Sequence, residues 1–278
     1  MKLMSVLSGA ILFTSATSLN AQTNLEKIWS SDTLLKVPES VLYSKDGSVL
    51  YIANIDGAPA EKDGKGSIGK VGLDGKIIQA EWVTGLNAPK GMAITGNSLW
   101  VADVDRLVEI DIKGGTIKRT VAIEGSEFLN DVTATPDGKI FVSDSKGKKV
   151  YQVTNGTPAV YLENLKGPNG LLYHNGNLYV LDNGSLLKVG SNKQSQTIAQ
   201  GMDGSTDGIE PVKGNDFIVS CWTGVIYYVH ADGKTEQLLD TREQKVNSAD
   251  IGYDQANRIV YVPTFFKNNV VAYKLNVK

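Results

Sequence analysis

The chain of 278 residues contains an internal repeat of six copies. Each copy has a short apolar run that ends in a small or polar residue, and successive runs begin roughly 40 residues apart, a period typical of propellers and other repeat architectures. The runs are LYIANI (50–55), LWVADV (99–104), IFVSDS (140–145), LYVLDN (178–183), FIVSCW (217–222) and VYVPTF (260–265). The repeat constrains the fold strongly, because every copy must form the same small structural unit.

Most of these runs follow a turn sequence such as KDG, PDG, HNGN or KGND, in which Gly, Asn or Asp supplies the positive φ of a tight hairpin. A further strand with alternating apolar residues comes after the run, as in KVYQV, SLLKV, VIYYV and VVAYKL. Long helical periodicity is absent. Six copies of three or four antiparallel strands predict an all-β fold, a six-bladed β-propeller with four-stranded antiparallel blades around a central channel.

We expect one propeller domain over residues 22–278, since no linker-like change of composition divides the chain; two domains are the alternative. Residues 24–31 (NLEKIWSS) precede the first copy and belong to none. We expect them to supply the outer strand of the last blade and so close the ring.

Residues 1–21 have the pattern of a secretory signal peptide: one Lys, an apolar run and small residues that end at Ala21. The chain is therefore expected to be exported, to the periplasm or outside the cell; the alternative is an uncleaved anchor or a buried first strand. No later segment is apolar for long enough to span a membrane. A net charge of -2 argues against nucleic acid as a partner. The single cysteine, Cys221, excludes an internal disulfide, and we expect a monomer.

A polar side chain lies at the start of the innermost strand in every copy. In a propeller this strand begins near one mouth of the channel, so a residue at its start can point into the channel. The six positions are Glu39, Lys90, Asn130, Asn169, Asp207 and Asp250. Turn chemistry accounts for any single Asn or Asp at such a position. It accounts poorly for Glu39 and for the agreement among all six copies.

Polar groups that converge on a channel need partners, because burying them unpaired is costly. Two or three carboxylates with two amide oxygens make an all-oxygen shell of the kind that calcium prefers. Zinc more usually takes His or Cys, and the two histidines lie elsewhere, His174 in a hairpin turn and His230 before the sequence ADGK. The pattern predicts a divalent metal site, with Ca²⁺ as the favoured ion.

Four short motifs resemble those of the senescence-marker/gluconolactonase superfamily of six-bladed propellers, to which the paraoxonases are more distantly similar. The motifs are PES (38–40), LND (129–131), PNGL (168–171) and TDGI (206–209), and the resemblance covers nearly all of the mature chain. It implies one divalent metal at the channel mouth, bound by Glu39, Asn130, Asn169 and Asp207. It also implies hydrolysis of lactones or related esters.

The chain departs from the paraoxonase pattern, in which histidines near the metal are catalytic, because no histidine is available here. The gluconolactonase pattern implies Asp207 as the base. In such a hydrolase the metal polarises the lactone carbonyl, Asp207 or nearby Asp250 takes a proton from water, and Lys90 helps the metal to stabilise the oxyanion. Lys90 and Asp250 match no family role, and an ion pair of Lys90 with Asp250 or Glu39 is the alternative.

Aromatic residues that follow the apolar runs are candidates for substrate binding. They are Trp222 in blade five and Phe265 and Phe266 in blade six, and the long loop 55–67 of blade one could act as a lid. Such aromatics would contact a sugar ring or an apolar acyl chain. The alternative is that they only cap the blades.

The sequence thus predicts a divalent-metal-dependent hydrolase of the gluconolactonase type, which acts on a small molecule, a lactone or a sugar-derived ester. The alternative is an exported, non-catalytic propeller that binds a glycan, a peptide or a protein and holds a structural calcium, since fold does not imply catalysis. A spare base beside the metal would separate the two.

Overall fold

The computed structural model describes residues 23–44 and 46–277, so the predicted signal peptide lies outside the described residues. Within these ranges the chain forms six four-stranded antiparallel sheets, as predicted. β1, Asn24–Ser30, belongs to the last sheet. A short 3-10 helix, Phe265–Lys267, follows the strand Ile259–Pro263. Among the described residues no helix has the length and apolar character needed to span a membrane.

The blades are numbered in chain order, and each is given from its innermost strand outwards. Blade one is β2 Pro38–Ser44, β3 Val49–Asn54, β4 Gly66–Gly72 and β5 Ile77–Leu86; blade two is β6 Pro89–Thr95, β7 Ser98–Asp103, β8 Arg106–Asp111 and β9 Thr116–Ala122; blade three is β10 Leu129–Ala134, β11 Ile140–Asp144, β12 Lys149–Thr154 and β13 Thr157–Leu162. Blade four is β14 Pro168–His174, β15 Asn177–Asp182, β16 Ser185–Val189 and β17 Ser195–Ala199; blade five is β18 Thr206–Pro211, β19 Phe217–Cys221, β20 Val225–Val229 and β21 Thr235–Asp240; blade six is β22 Gly252–Asp254, β23 Ile259–Pro263, β24 Val270–Asn276 and β1.

Burial along the strands follows their place in the blade. β3 and β7 are buried at every position because they lie between neighbouring strands and between neighbouring blades. The outer strand β9 is exposed at all positions but Val121. Tight turns with two successive positive φ angles join several strands, for example Asn175 and Gly176 at 48° and 76°, the backbone that Asn-Gly hairpins favour.

Each pair of neighbouring blades shares an apolar cluster. Ile68, Leu99 and Val101 pack between blades one and two, and Val150 and Val180 pack between blades three and four. The innermost strands also contact one another in sequence from β2 through β6, β10, β14, β18 and β22 back to β2. The apolar residues of the repeats therefore stabilise a closed ring.

The ring closes through the N-terminal strand, which confirms the expectation for residues 24–31. β1 pairs antiparallel with β24, from Asn24 opposite Asn276 to Ser30 opposite Val271. Trp29 extends this closure to the next blade, since its Nε1 donates a hydrogen bond to the carbonyl oxygen of Leu73 at 3.0 Å.

Candidate functional site at the channel mouth

Five of the six polar residues predicted to face the channel lie on β-bulges, whereas Asp250 precedes β22, whose pairing with β23 has no register shift. The pairing of β14 with β15 shifts by one residue between Pro168 and Leu171, so that Asn169 and Gly170 face a single residue of β15. The innermost strands of blades one, two, three and five shift register at the equivalent point. A bulge re-aims a side chain out of the regular ladder. This local geometry turns the polar residue of blades one to five towards the channel.

Two glycines next to these polar residues allow the innermost strands to converge. A Cβ on Gly208 would lie 2.5 Å from both Asp250 Oδ1 and the backbone nitrogen of Ile251. A Cβ on Gly170 would overlap the carbonyl oxygen of Asp207. The recurring pairs Asn-Gly and Asp-Gly therefore have a steric cause as well as a turn preference.

Five of the six polar residues line one cavity of about 540 Å³, which we call the mouth cavity: Glu39, Lys90, Asn130, Asn169 and Asp207. All of them except Asn169 are buried. The rest of its wall includes Ile55, Gly57, Pro59, Phe128, Ser145, Ser205, Thr206, Trp222, Phe265 and Phe266. The structure thus brings together the four predicted metal ligands, Lys90 and the three predicted substrate-binding aromatics.

The two asparagines donate to protein acceptors. Asn169 Nδ2 donates a hydrogen bond to Asp207 Oδ1 at 3.0 Å, and Asn130 Nδ2 donates to Ser145 Oγ at 3.1 Å. Ser145 Oγ in turn donates to the carbonyl oxygen of Pro168 at 2.6 Å. These bonds hold both amide groups by their nitrogens, so their oxygens are not needed for hydrogen bonds within the fold.

Two buried oxygen acceptors in this cavity have no hydrogen-bond partner. They are Glu39 Oε2 and Asn169 Oδ1. A buried acceptor without a partner costs about 1–3 kcal/mol. Oxygen atoms of this kind are the ligands that a hard cation such as Ca²⁺ takes, so the residues present fit a divalent metal.

The electrostatics of the cavity also favour a cation. Burial raises the pKa of Glu39 well above its ordinary value, the charge of Asp207 raises it further, and Lys90 opposes the rise. Burial and the charge of Asp250 likewise raise the pKa of Asp207 well above its ordinary value. In residues 23–44 and 46–277 no three His, Cys, Asp or Glu side chains gather as metal ligands. A metal here would therefore need the amide oxygens as well as the two carboxylates.

Lys90 forms neither of the ion pairs considered from the sequence. Its Nζ donates a hydrogen bond to the carbonyl oxygen of Ala88 at 2.9 Å and lies 4.5 Å from the centroid of the Phe128 ring. Burial lowers the pKa of Lys90, and the charge of Glu39 opposes that effect. The ammonium group therefore lies in the cavity wall, close to Glu39 in electrostatic terms but without a direct salt bridge.

Asp250 lies outside the mouth cavity, which differs from its expected place beside the metal. It lines a second cavity of about 200 Å³, together with Asp131 and Glu210. Its Oδ2 accepts a hydrogen bond from Ser40 Oγ at 2.5 Å. Burial raises the pKa of Asp250 to about 7, although the Ser40 hydrogen bond opposes the rise. Asp207 is thus the one predicted base that shares the mouth cavity with the candidate ligands.

Sequence reasoning missed two residues that shape the site. Asp131 follows Asn130 in the LND motif, and its two carboxylate oxygens accept the backbone N–H groups of Val132 and Leu171, both at 2.6 Å. This carboxylate joins blade three to blade four and so fixes the position of Asn130. Phe128, which packs under Lys90, also went unnoticed, because a single aromatic residue before a strand carries no distinctive signal.

The three aromatic residues form one cluster on the cavity wall. Phe265 lies 5.6 Å from Trp222 and 4.7 Å from Phe266 between ring centroids, both in edge-to-face geometry. Phe265 is buried, whereas 38% of Trp222 and 63% of Phe266 is exposed. Gly57 and Pro59 of the blade-one loop complete this part of the wall, which is therefore open to a ligand as well as packed on the blades.

The remaining reactive side chains lie away from the cavity. His174 contacts the carbonyl oxygen of Gly214 at 2.9 Å, and His230 lies 3.1 Å from Glu236. Cys221 is fully buried, and burial raises the pKa of its thiol. None of the three lines the mouth cavity.

No protein-family model matches the chain, and no curated protein matches its sequence. Solved structures do match its fold. A protein assigned provisionally as a gluconolactonase has a TM-score of 0.67 at 17% identity, over 93% of this chain and 94% of that chain. A catalytically inactive virginiamycin B lyase variant from Staphylococcus aureus, solved with quinupristin, has a TM-score of 0.64 at 14% identity, over 92% and 100%.

A nidogen/laminin complex also matches, with a TM-score of 0.64 at 18% identity, over 78% of this chain and 84% of that chain. At these identities the likeness shows the propeller fold alone. The propeller fold of the gluconolactonase-like structure agrees with the fold that the resemblance of the four motifs implies.

Proposed function

We propose that the chain is a divalent-metal-dependent hydrolase that opens a lactone or a related ester in the mouth cavity. The observation that carries the proposal is the pair of buried, unpartnered acceptors, Glu39 Oε2 and Asn169 Oδ1, in a cavity that also contains Asp207. Calcium is the ion of choice because every candidate ligand atom is an oxygen. Glu39, Asn130, Asn169 and Asp207 would hold it.

Asp207 is the proposed general base. Asn169 Nδ2 donates to its Oδ1 and so fixes the orientation of the carboxylate. When bound, the metal would act as a Lewis acid towards the substrate carbonyl. Asp207 accepts a proton from the attacking water, whose oxygen bonds to the carbonyl carbon. The ring C–O bond then breaks, and the proton passes from Asp207 to the leaving alkoxide to give a hydroxy acid.

Lys90 is the proposed hydrogen-bond donor to the oxyanion. An ammonium group has three N–H donors, and Lys90 gives one of them to the carbonyl oxygen of Ala88. The other two are available to negative charge that develops on the carbonyl oxygen of the substrate. A donor held in a buried cavity in this way stabilises the transition state without reorganisation of water.

The test is metal analysis of the purified protein together with hydrolysis of a panel of sugar and alkyl lactones, with and without chelator. We expect about one calcium per chain and turnover that chelator abolishes. Asp207→Asn should lower kcat by at least a hundredfold, a magnitude in keeping with loss of a general base. The matched control is Asp232→Asn, which changes an exposed turn carboxylate far from the cavity. Metal-independent turnover, or equal activity in the Asp207 variant, would contradict the proposal.

A second function, ligand binding without turnover, has one observation in its favour, the exposure of Trp222 and Phe266 at the mouth. The structural neighbours include both a lyase and a chain of a nidogen/laminin complex, and a shared fold does not choose between such roles. Bound calcium with no turnover of any lactone would favour this binding role.

A further inference from the structure

The mouth cavity has two chemically different zones. Its charged and amide groups, Lys90 among them, are those of the proposed reaction. The rest of the wall is largely apolar: Phe128 lies beside Lys90, and Ile55, Pro59, Trp222, Phe265 and Phe266 complete it. A ligand that reaches the reacting groups must therefore place the rest of its body against aromatic and aliphatic surface.

The hydroxyl groups of the wall, on Ser145, Ser205 and Thr206, already take part in hydrogen bonds within the protein. Ser145 Oγ donates to the carbonyl oxygen of Pro168 at 2.6 Å, and Ser205 Oγ donates to Asp203 Oδ1 at 2.7 Å. Thr206 Oγ1 accepts a hydrogen bond from the backbone of Gly184. Apart from the groups assigned to the metal and the reaction, the hydroxyl groups of a sugar would find few partners here, and hydroxyl groups buried without partners cost binding energy.

The turn that carries Phe265 on the apolar part of the wall is held in place by hydrogen bonds. Phe265 has a φ of 51°, a left-handed conformation that is a genuine outlier for a bulky residue. Its turn is held by Thr264 Oγ1, which donates to Asn269 Oδ1 at 2.6 Å, and by Asn268 Oδ1, which accepts the backbone N–H of Val37 at 3.0 Å. Strain that is retained in this way at a cavity wall is typical of functional positions.

The rings of Trp222 and Phe266 face each other across 6.2 Å in edge-to-face geometry, on the buried Phe265. Aromatic rings in this arrangement offer a fixed apolar surface with little side-chain entropy left to lose on binding. This surface suits an alkyl chain or an aromatic ring better than a polyhydroxylated one.

We propose that the substrate is a lactone or ester with an apolar body, an acyl chain or an aromatic ring, and that Trp222 and Phe266 bind this body. The inference rests on the proposed function for the position of the scissile carbonyl at the polar zone. It excludes sugar lactones as the preferred substrates.

The test compares three lactones of the same ring size: δ-valerolactone, which has no substituent, δ-decalactone, which has a five-carbon tail, and glucono-δ-lactone, which carries hydroxyl groups. We expect kcat/KM for δ-decalactone to exceed that for each of the others by about tenfold or more, since even one methylene buried in an apolar pocket is worth roughly tenfold. Preference for glucono-δ-lactone would overturn the inference while leaving the hydrolase proposal intact.

Substitutions of Trp222 and Phe266 test whether these residues bind the apolar tail of the substrate. Trp222→Ala and Phe266→Ala should lower kcat/KM about tenfold for δ-decalactone and leave δ-valerolactone within twofold, because only the tail contacts the rings. Ile78→Ala is the matched control, since Ile78 is as exposed as Phe266 but lies on the outer strand β5. An equal loss for both lactones would overturn the assignment of these residues.

A binding measurement separates this inference from the hydrolase proposal. Titration with the pentyl-substituted δ-lactam, which resists hydrolysis, should change the tryptophan fluorescence of the protein but not that of Trp222→Phe. Binding of the lactam without turnover of any lactone would retain the apolar site and reject the hydrolase. Absence of lactam binding would reject the apolar site.

Discussion

Glu109 is a buried carboxylate whose pKa is lowered, whereas the pKa values of Glu39 and Asp207 in the channel are raised. Burial raises the pKa of Glu109, but hydrogen bonds from Ser98, Lys118 and Arg119 outweigh burial and bring the pKa to about 2. The shortest of these bonds join Ser98 Oγ to Oε1 and Arg119 Nε to Oε2, both at 2.6 Å. This group makes a pH-dependent contribution to stability at a site far from the mouth cavity.

Because the pKa of Glu109 falls on folding, its contribution is complete above about pH 4.5, the ordinary value, and is lost as the pH falls towards about 2. Glu109→Gln should lower the free energy of unfolding at pH 7 by about 2 kcal/mol, a figure reduced for the solvent screening of the two exposed cations. The measurement is urea unfolding of both proteins between pH 7 and pH 3, where the difference should shrink. Glu163→Gln, on an exposed residue, is the control. A difference that stays constant with pH would contradict the assignment.

Substitution of Lys90 should affect stability differently from substitution of Glu109, because the buried charge of Lys90 contributes to the proposed reaction and not to folding. Lys90→Met removes a costly buried cation and keeps the side-chain volume, so the melting temperature should stay the same or rise. The same change should lower kcat roughly a hundredfold through loss of the oxyanion donor, and it should tighten calcium binding by removing a like charge. Kinetics, calorimetry and thermal unfolding together check these effects.

Lys146→Met is the matched control for Lys90→Met, because the ammonium group of Lys146 also faces the Phe128 ring, at 4.9 Å, but lies on the surface. Its kcat should stay within twofold of the parent. A loss of kcat equal to that of the Lys90 variant would show that the charge near Phe128, and not a donor in the cavity, is what matters.

For individual residues, the sequence indicated which side chains lie together in the mouth cavity but not which hydrogen bonds each of them forms. The repeat put Glu39, Asn169 and Asp207 at equivalent positions, and they share one cavity. The side chain of Asp250 lines the second cavity, and this could not be predicted, because its hydrogen bond with Ser40 depends on the packing of blade six against blade one. The positive φ of Phe265 likewise arises from the tertiary contacts of its turn.

Among the structural elements, the bulged starts of the innermost strands of blades one to five link the fold to the site. The alternation of apolar residues predicted the strands and the Asn-Gly and Asp-Gly pairs predicted turns, but a bulge changes the side-chain direction by one residue and leaves no distinct sequence signal. The polar residue could therefore be located, whereas its neighbour Asp131 could not be assigned its role as a bridge between two blades.

Substitution of Gly208 tests the close approach of the innermost strand of blade five to residues 250–251 of blade six. Gly208→Ala should lower the free energy of unfolding by about 2–4 kcal/mol, because its Cβ would meet Asp250 and the backbone of Ile251 at 2.5 Å. Gly167→Ala is the control: Gly167 has a negative φ and no atom within 4 Å of its Cβ position. Chemical unfolding measures both. Similar stability of the two variants would contradict the steric account.

For the whole molecule, closure of the ring depends on a strand from the other end of the chain. β1 pairs along β24, and Trp29 reaches blade one. Removal of residues 1–30 should expose the edge of β24, lower the melting temperature by several degrees and promote association through the free edge. Removal of residues 1–21 alone is the control and should leave the melting temperature unchanged. Equal melting temperatures for the two proteins would show that β1 does not close the ring.

The central claim is that the mouth cavity binds a divalent metal through Glu39 and its three partners, and a calorimetric titration of chelator-stripped protein with calcium tests it most directly. The account predicts one ion per chain for the parent protein, and binding weakened at least a hundredfold in Glu39→Gln, whose side chain keeps its volume but loses its charge. Undiminished binding in this variant, or no binding by the parent protein, would contradict the claim.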